Sequence, residues 1–184
     1  MGHRKPLPAL DESRLNELAL RYVGRFATTR AKLRAYLQRK IRERGWAPER
    51  RPDLETIADR FAELGYIDDA AFALAKSRAL TGRGYGKRRV AQALRVAGVD
   101  EADGETALDH ADVEAVTAAL RFAERRRLGP YSANATTDPK DREKALTAMV
   151  RAGHGFGLAK AILGLAPGSN VDREDLADRL TSHT

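Results

Sequence analysis

Apolar residues recur every three or four positions through most of this chain, and strand-like alternation is nearly absent. That pattern predicts an all-α protein. Leu15, Leu18, Ala19, Tyr22, Val23 and Phe26 make one stripe of a helix starting near Asp11. Thr28 or Thr29 caps a second helix, which turns Leu33, Leu37 and Ile41 inward and stops at Gly45. A third begins at Asp53, buries Ile57, Phe61 and Leu64, and ends at Gly65. Three short amphipathic helices in this span predict a small bundle.

The pattern then recurs. "RERGW", "RVAGV" and "VRAGH" each close a basic amphipathic helix with glycine, at Gly45, Gly98 and Gly153, spaced 53 and 55 residues apart. The preceding helices carry Tyr22, Phe72 and Phe122, spaced 50 and 50. Such periods predict an elongated array of three tandem three-helix-bundle repeats, each stacked on its neighbour. The repeats are expected over residues 11–66, 67–112 and 113–165, followed by a tail, 166–184, with a short helix. In the third, Asp138 as N-cap and Pro139 at the first helical position start a helix after the loop "GPYSANATT".

Charge sharpens this picture. The 184 residues carry a formal net charge of +7, which suggests a polyanionic partner. Its placement is more telling than its size. From Ala70 to Val99 there are seven basic residues and no acidic one, and Asp100 to Glu114 then carries seven acids and no Lys or Arg. A solvated surface usually intersperses the signs. A second basic stretch, residues 21–51, has eleven Lys and Arg against Glu43 and Glu49. Tyr36 and Trp46 within it could stack on bases, but their helical spacing reads as core.

The segment "TGRGYGKRRVAQAL", Thr81 to Leu94, could be a phosphate-cradling loop or a turn feeding a basic helix. A P-loop needs four residues between its first glycine and the next, and a hydroxyl after the lysine. Gly82 and Gly86 are one residue too close, and Arg88 stands at the hydroxyl position. The dinucleotide pattern fails too, with Lys87 at its third glycine and a helical pattern, "DDAAFALAKSRAL", where a strand should precede. The glycines therefore read as a tight helix-to-helix turn that allows close backbone approach. In the helix that follows, Val90, Ala93, Leu94 and Ala97 face inward, leaving Arg88, Gln92 and Arg95 together on another face.

Other chemistry is sparse. Without cysteine there are no disulfides, thiolate nucleophiles or cysteine zinc sites. His3, His110, His154 and His183 fall at no metal-ligand spacing. Asp68 reads as an N-cap with Asp69 in the first helical turn, and Tyr66 and Ile67 as packing between bundles. No apolar run has membrane-spanning length and the amino end lacks a signal-peptide apolar region, so a cytoplasmic protein is expected.

The block "LGYIDDAAFALAKSRALTGRGYGKRRVAQALRVAGV", Leu64 to Val99, resembles the signature of the RecX family of bacterial recombination regulators. Gly65 to Asp69, Phe72-Ala73, Ser77-Arg78, Gly84, Arg88-Arg89, Leu94 and Gly98 fall in register with it, and a weaker likeness covers about residues 14–165. The resemblance implies a non-enzymatic, cofactor-free negative modulator that lodges in the groove of the RecA–single-stranded-DNA filament. It would oppose filament growth, ATP hydrolysis, strand exchange and co-protease activity. The implied partners are RecA and single-stranded DNA, with double-stranded DNA as a further one and no membrane; a monomer is expected. Arg78, Arg88 and Arg89 carry over from the signature, and Lys76, Arg83, Lys87 and Arg95 join them by charge and helix position. The alternative is a self-sufficient basic DNA- or RNA-binding protein; an enzyme of phosphate chemistry ranks last. This chain departs from the family pattern in a second helix about one turn longer, in Gly104 inside "EADGETALDHAD", and in a long loop at 130–138.

Overall fold

The computed structural model describes residues 8–135, 138–174 and 176–177. They are helical throughout, with a single parallel bridge between Leu10 and Trp46 in place of any sheet. The helices come in three sets of three: α1 (Glu12–Val23), α2 (Arg30–Arg44) and α3 (Leu54–Glu63); α4 (Asp69–Thr81), α5 (Lys87–Ala97) and α6 (Glu101–Val113); α7 (Ala115–Arg126), α8 (Pro139–Arg151) and α9 (Phe156–Leu163). By internal packing the chain divides into two compact units, one holding residues up to 72 with 97–99, the other 73–96 with 100 onward.

In the first unit, Asp11, Thr29 and Asp53 cap α1, α2 and α3, each accepting an N–H from the first turn. Thr29 is fully buried, and its hydroxyl also donates to the Ala97 carbonyl at 2.6 Å. The core is Leu10, Leu15, Ala19, Leu33, Leu37, Ala58, Phe61 and Ile67. Tyr36 and Trp46 pack against it as expected, Tyr36 stacked 4.2 Å from Tyr22. Leu64 does not: it lies at the carboxyl end of α3, where its stripe has rotated toward solvent, and it is 60 % exposed. Phe26 also falls past its helix and is half-exposed. Ile67 enters this unit's core, whereas Tyr66 is exposed and rests on Phe61.

In the second unit the core gathers Leu120, Phe122, Met149, Leu158, Ile162 and Leu176. α6 forms without interruption through buried Gly104. The reason is a close approach of small side chains: Ser77 of α4 donates to the Ala107 carbonyl at 2.7 Å, beside buried Gly104, Ala107 and Ala111. The loop after α7 opens with a 3-10 turn, Gly129–Tyr131. Asp138 and Pro139 start α8 as the sequence predicts. In the tail, residues 173–174 and 176–177 are helical, while 178–184 lie outside the described residues.

Gly45, Gly98 and Gly153 each follow the second helix of a set at positive φ, +82°, +68° and +98°, a conformation that costs a side-chain-bearing residue energy. Tyr22, Phe72 and Phe122 do lie on the first helices, but near the end of α1, the start of α4 and the middle of α7. Their even spacing marks no equivalent place in the helices. The extra turn in α2 is real, 15 residues against 11 in α5.

A candidate polyanion-binding face on the second unit

The glycine segment between α4 and α5 is a packing turn. Gly84 has φ +80°, and a Cβ there would lie 2.9 Å from the Phe122 backbone N. At Gly86 a Cβ would collide with the Gly153 carbonyl. The Gly86 N–H donates to Ala152 O (3.0 Å) and the Arg88 N–H to Gly153 O (3.2 Å). The close approach expected of these glycines is thus made by α7 and by the α8–α9 turn.

That turn aims α5. Val90 and Leu94 are buried, and Arg88, Gln92 and Arg95 are exposed on the opposite face. Arg89, on the flank, donates to Gln92 Oε1 at 2.9 Å. Lys87, on the other flank, is ion-paired with Asp112 of α6. Arg83 sits in the turn itself, exposed, its carbonyl accepting from Arg125 at 2.6 Å. Lys76 and Arg78 are exposed on α4 but flank buried Ser77 on both sides, about 200° apart around the axis. The structure therefore groups Arg88, Arg89 and Arg95, and separates Lys76 from Arg78.

Six of the seven, all but Lys87, have no carboxylate partner among the described residues. The basic stretch of the first unit differs. Arg21, Arg30, Arg34, Arg39 and Lys40 are ion-paired with Glu17, Asp59 and Asp69, Glu55, and Glu43. Lys32 lies over the Phe72 ring, 4.3 Å from its centre. Exposed ion pairs are individually weak, yet they spend those charges locally.

Sequence reasoning missed three features. Arg121 and Arg125 to Arg127 of the α7 region are exposed, and Arg125 adjoins the α4–α5 turn; the triple arginine was the available signal. Asp69 is more than a first-turn carboxylate: 6 % exposed, it accepts from the Arg30 N–H (3.0 Å) and Arg30 Nε (3.3 Å). Asp68 is the cap, accepting from the Ala71 N–H at 2.7 Å. His154 is 2 % exposed and holds Gly84 O at 3.0 Å through Nε2. A carbonyl only accepts, so Nε2 bears the proton. Burial holds the imidazole below its usual range, and the Gly84 bond offsets this only in part. No helix among the described residues is long and apolar enough to cross a membrane.

Known proteins align with this arrangement. The family model "RecX, second three-helix domain" matches residues 68–108, the α4–α6 segment. The chain is 31 % identical to regulatory protein RecX of Myxococcus xanthus over 163 residues, 83 % of this chain and 86 % of that protein. It is 36 % identical to that of Thermobifida fusca over 80 % of this chain and 75 % of its relative, and 34 % identical to that of Mycobacteroides abscessus over 94 % and 81 %. The crystal structure of RecX from Lactobacillus salivarius shares the fold, with a TM-score of 0.58 at 18 % identity, covering 82 % of this chain and 93 % of that one.

Proposed function

Because the chain belongs to the RecX family of regulatory proteins, we propose that it is a negative modulator of the RecA recombinase. It lodges in the groove of the RecA–single-stranded-DNA filament. There it opposes filament growth, and with it ATP hydrolysis, strand exchange and co-protease activity. It acts as a cytoplasmic, cofactor-free monomer that works by binding and catalyses nothing, and its repeats are residues 11–66, 67–112 and 113–165. The binding residues are Lys76, Arg78, Arg83, Lys87, Arg88, Arg89 and Arg95, with Arg88, Arg89 and Arg95 at the centre.

The observation that carries this reading is the contrast in charge pairing. In the basic stretch of the first unit, Arg21, Arg30, Arg34, Arg39 and Lys40, five of eleven, are ion-paired with that unit's own carboxylates, whereas in the α4–α5 segment six of seven have no carboxylate partner among the described residues. Unpaired guanidinium groups on a rigid helix gain most from an external polyanion, because no internal partner must be released first. The test is RecA's DNA-dependent ATP hydrolysis with the protein added below RecA stoichiometry. Hydrolysis should slow, and Arg88→Glu, Arg89→Glu and Arg95→Glu together should abolish the effect. Unchanged hydrolysis with no association with filaments would defeat the proposal.

A second reading is direct DNA binding as the primary activity. The exposed Arg88, Gln92 and Arg95 on the second helix of a three-helix set favour it, since such a face can enter a groove. If the triple substitution removes RecA inhibition but leaves affinity for free DNA intact, this reading fails and the face contacts protein.

A further inference from the structure

The carboxyl end of α7 gathers four exposed arginines, Arg121, Arg125, Arg126 and Arg127. Glu124 is the only acid between them, and none of the four has a carboxylate partner among the described residues. Two of the side chains are held in place. Arg125 donates to the Arg83 carbonyl at 2.6 Å, and its guanidinium lies 6.0 Å from the Tyr85 ring centre and 5.7 Å from that of Phe122. Arg126 lies 5.7 Å from the same Phe122 ring. Such contacts between cation and ring fix a long side chain without neutralising it.

A cation in the last turn of a helix complements the macrodipole, which accounts for Arg125 and Arg126. It does not account for Arg121, a turn earlier, nor for Arg127. The backbone supplies a separate observation. Arg127 follows the helix in the left-handed region, at φ +54° and ψ +50°. Every other positive-φ position among the described residues is a glycine, the residue that adopts this conformation at least cost. An arginine therefore stands where the backbone favours glycine, and its exposed side chain forms no ion pair there. Backbone strain that the fold does not repay points to function.

We propose that this cluster binds the phosphate backbone of a nucleic-acid strand. Guanidinium forks match phosphate oxygens two at a time. The side chains fan out rather than converge. Arg125 leaves the helix axis about 40° round from Arg121, Arg126 about 140° round, and Arg127 lies past the last turn. A fan of fixed cations meets successive phosphates along a strand, whereas a small anion engages only one or two of them. All four residues lie outside the α4–α5 face described above, and the contact with Arg83 makes the two regions adjoin. The proposal extends the direct DNA-binding reading to α7 and requires nothing of RecA.

The test is an anisotropy titration of the full chain on a labelled single-stranded oligonucleotide across salt concentrations. Arg121→Gln, Arg126→Gln and Arg127→Gly together leave Arg125 and its packing in place. They should lower the log–log salt slope by about 2, at about 0.7 for each lost phosphate contact. Arg127→Gly alone should keep the melting temperature or raise it, yet lower the slope by about 0.7, which separates binding from folding. The glutamate variant of Arg88, Arg89 and Arg95, measured alongside, tests the α5 face, so either surface can fail without the other. A parallel titration with poly-glutamate covers an acidic protein as the partner. The proposal is overturned by a loss confined to poly-glutamate, by an unchanged slope in either α7 variant, or by the unaltered protein showing no salt-dependent binding.

Discussion

Two glycines separated by backbone geometry alone make opposite predictions at the residue scale. A Cβ at Gly86 would meet the Gly153 carbonyl, whereas one at Gly155 would meet nothing. Gly86→Ala should therefore destabilise the protein by about 1–3 kcal/mol through overpacking, and Gly155→Ala should leave urea midpoints nearly unchanged. His154 sets a pH dependence. Its folded-state imidazole is harder to protonate than the ordinary value of 6.5, so below that pH the unfolded chain takes up a proton that the folded chain refuses. Stability is then complete above about pH 6.5 and falls as the pH drops, by at most about 1.4 kcal/mol per pH unit. His154→Gln should flatten that part of the profile in urea unfolding, whatever it costs at neutral pH. Neither effect is legible in the sequence, because each depends on a chain segment some seventy residues away.

At the scale of elements, the start of α4 carries two adjacent aspartates with unequal tasks. Asp68 is an exposed cap, and Asp69 is a buried acceptor for the Arg30 N–H and side chain. Asp68→Ala should cost about 1 kcal/mol, and Asp69→Ala about 2–3 kcal/mol, since bonds to a charged group are stronger and Arg30 loses that acceptor. Denaturant unfolding of the two variants side by side checks the order. The sequence places both residues at a helix start but reads Asp69 only as a first-turn carboxylate. Its remote partner lies 39 positions earlier, beyond the reach of local pattern. Gly104 teaches the converse: an intrinsically poor helix residue is held inside α6, where small side chains let α4 come close.

At the scale of the whole molecule, the net charge of +7 matters less than which charges are already paired. If the α4–α5 arginines meet phosphates, binding to single-stranded DNA should weaken with salt, and the triple Glu variant should lower the log–log slope by about 2. Arg39→Gln, removing a cation paired with Glu43, should change neither slope nor RecA inhibition. Filter-binding or anisotropy titrations across salt concentrations measure both. The sequence alone determined the helical class, the three sets of helices, the helix starts at Asp11, Asp53, Asp68 and Asp138, and the amphipathic face of α5, because these follow from local periodicity, capping and glycine placement. Only the tertiary structure decided which cations are free, why Gly84 and Gly86 must be glycine, and that His154 is buried beside α5. Those properties are set by neighbours distant in the chain, and local periodicity carries no record of them.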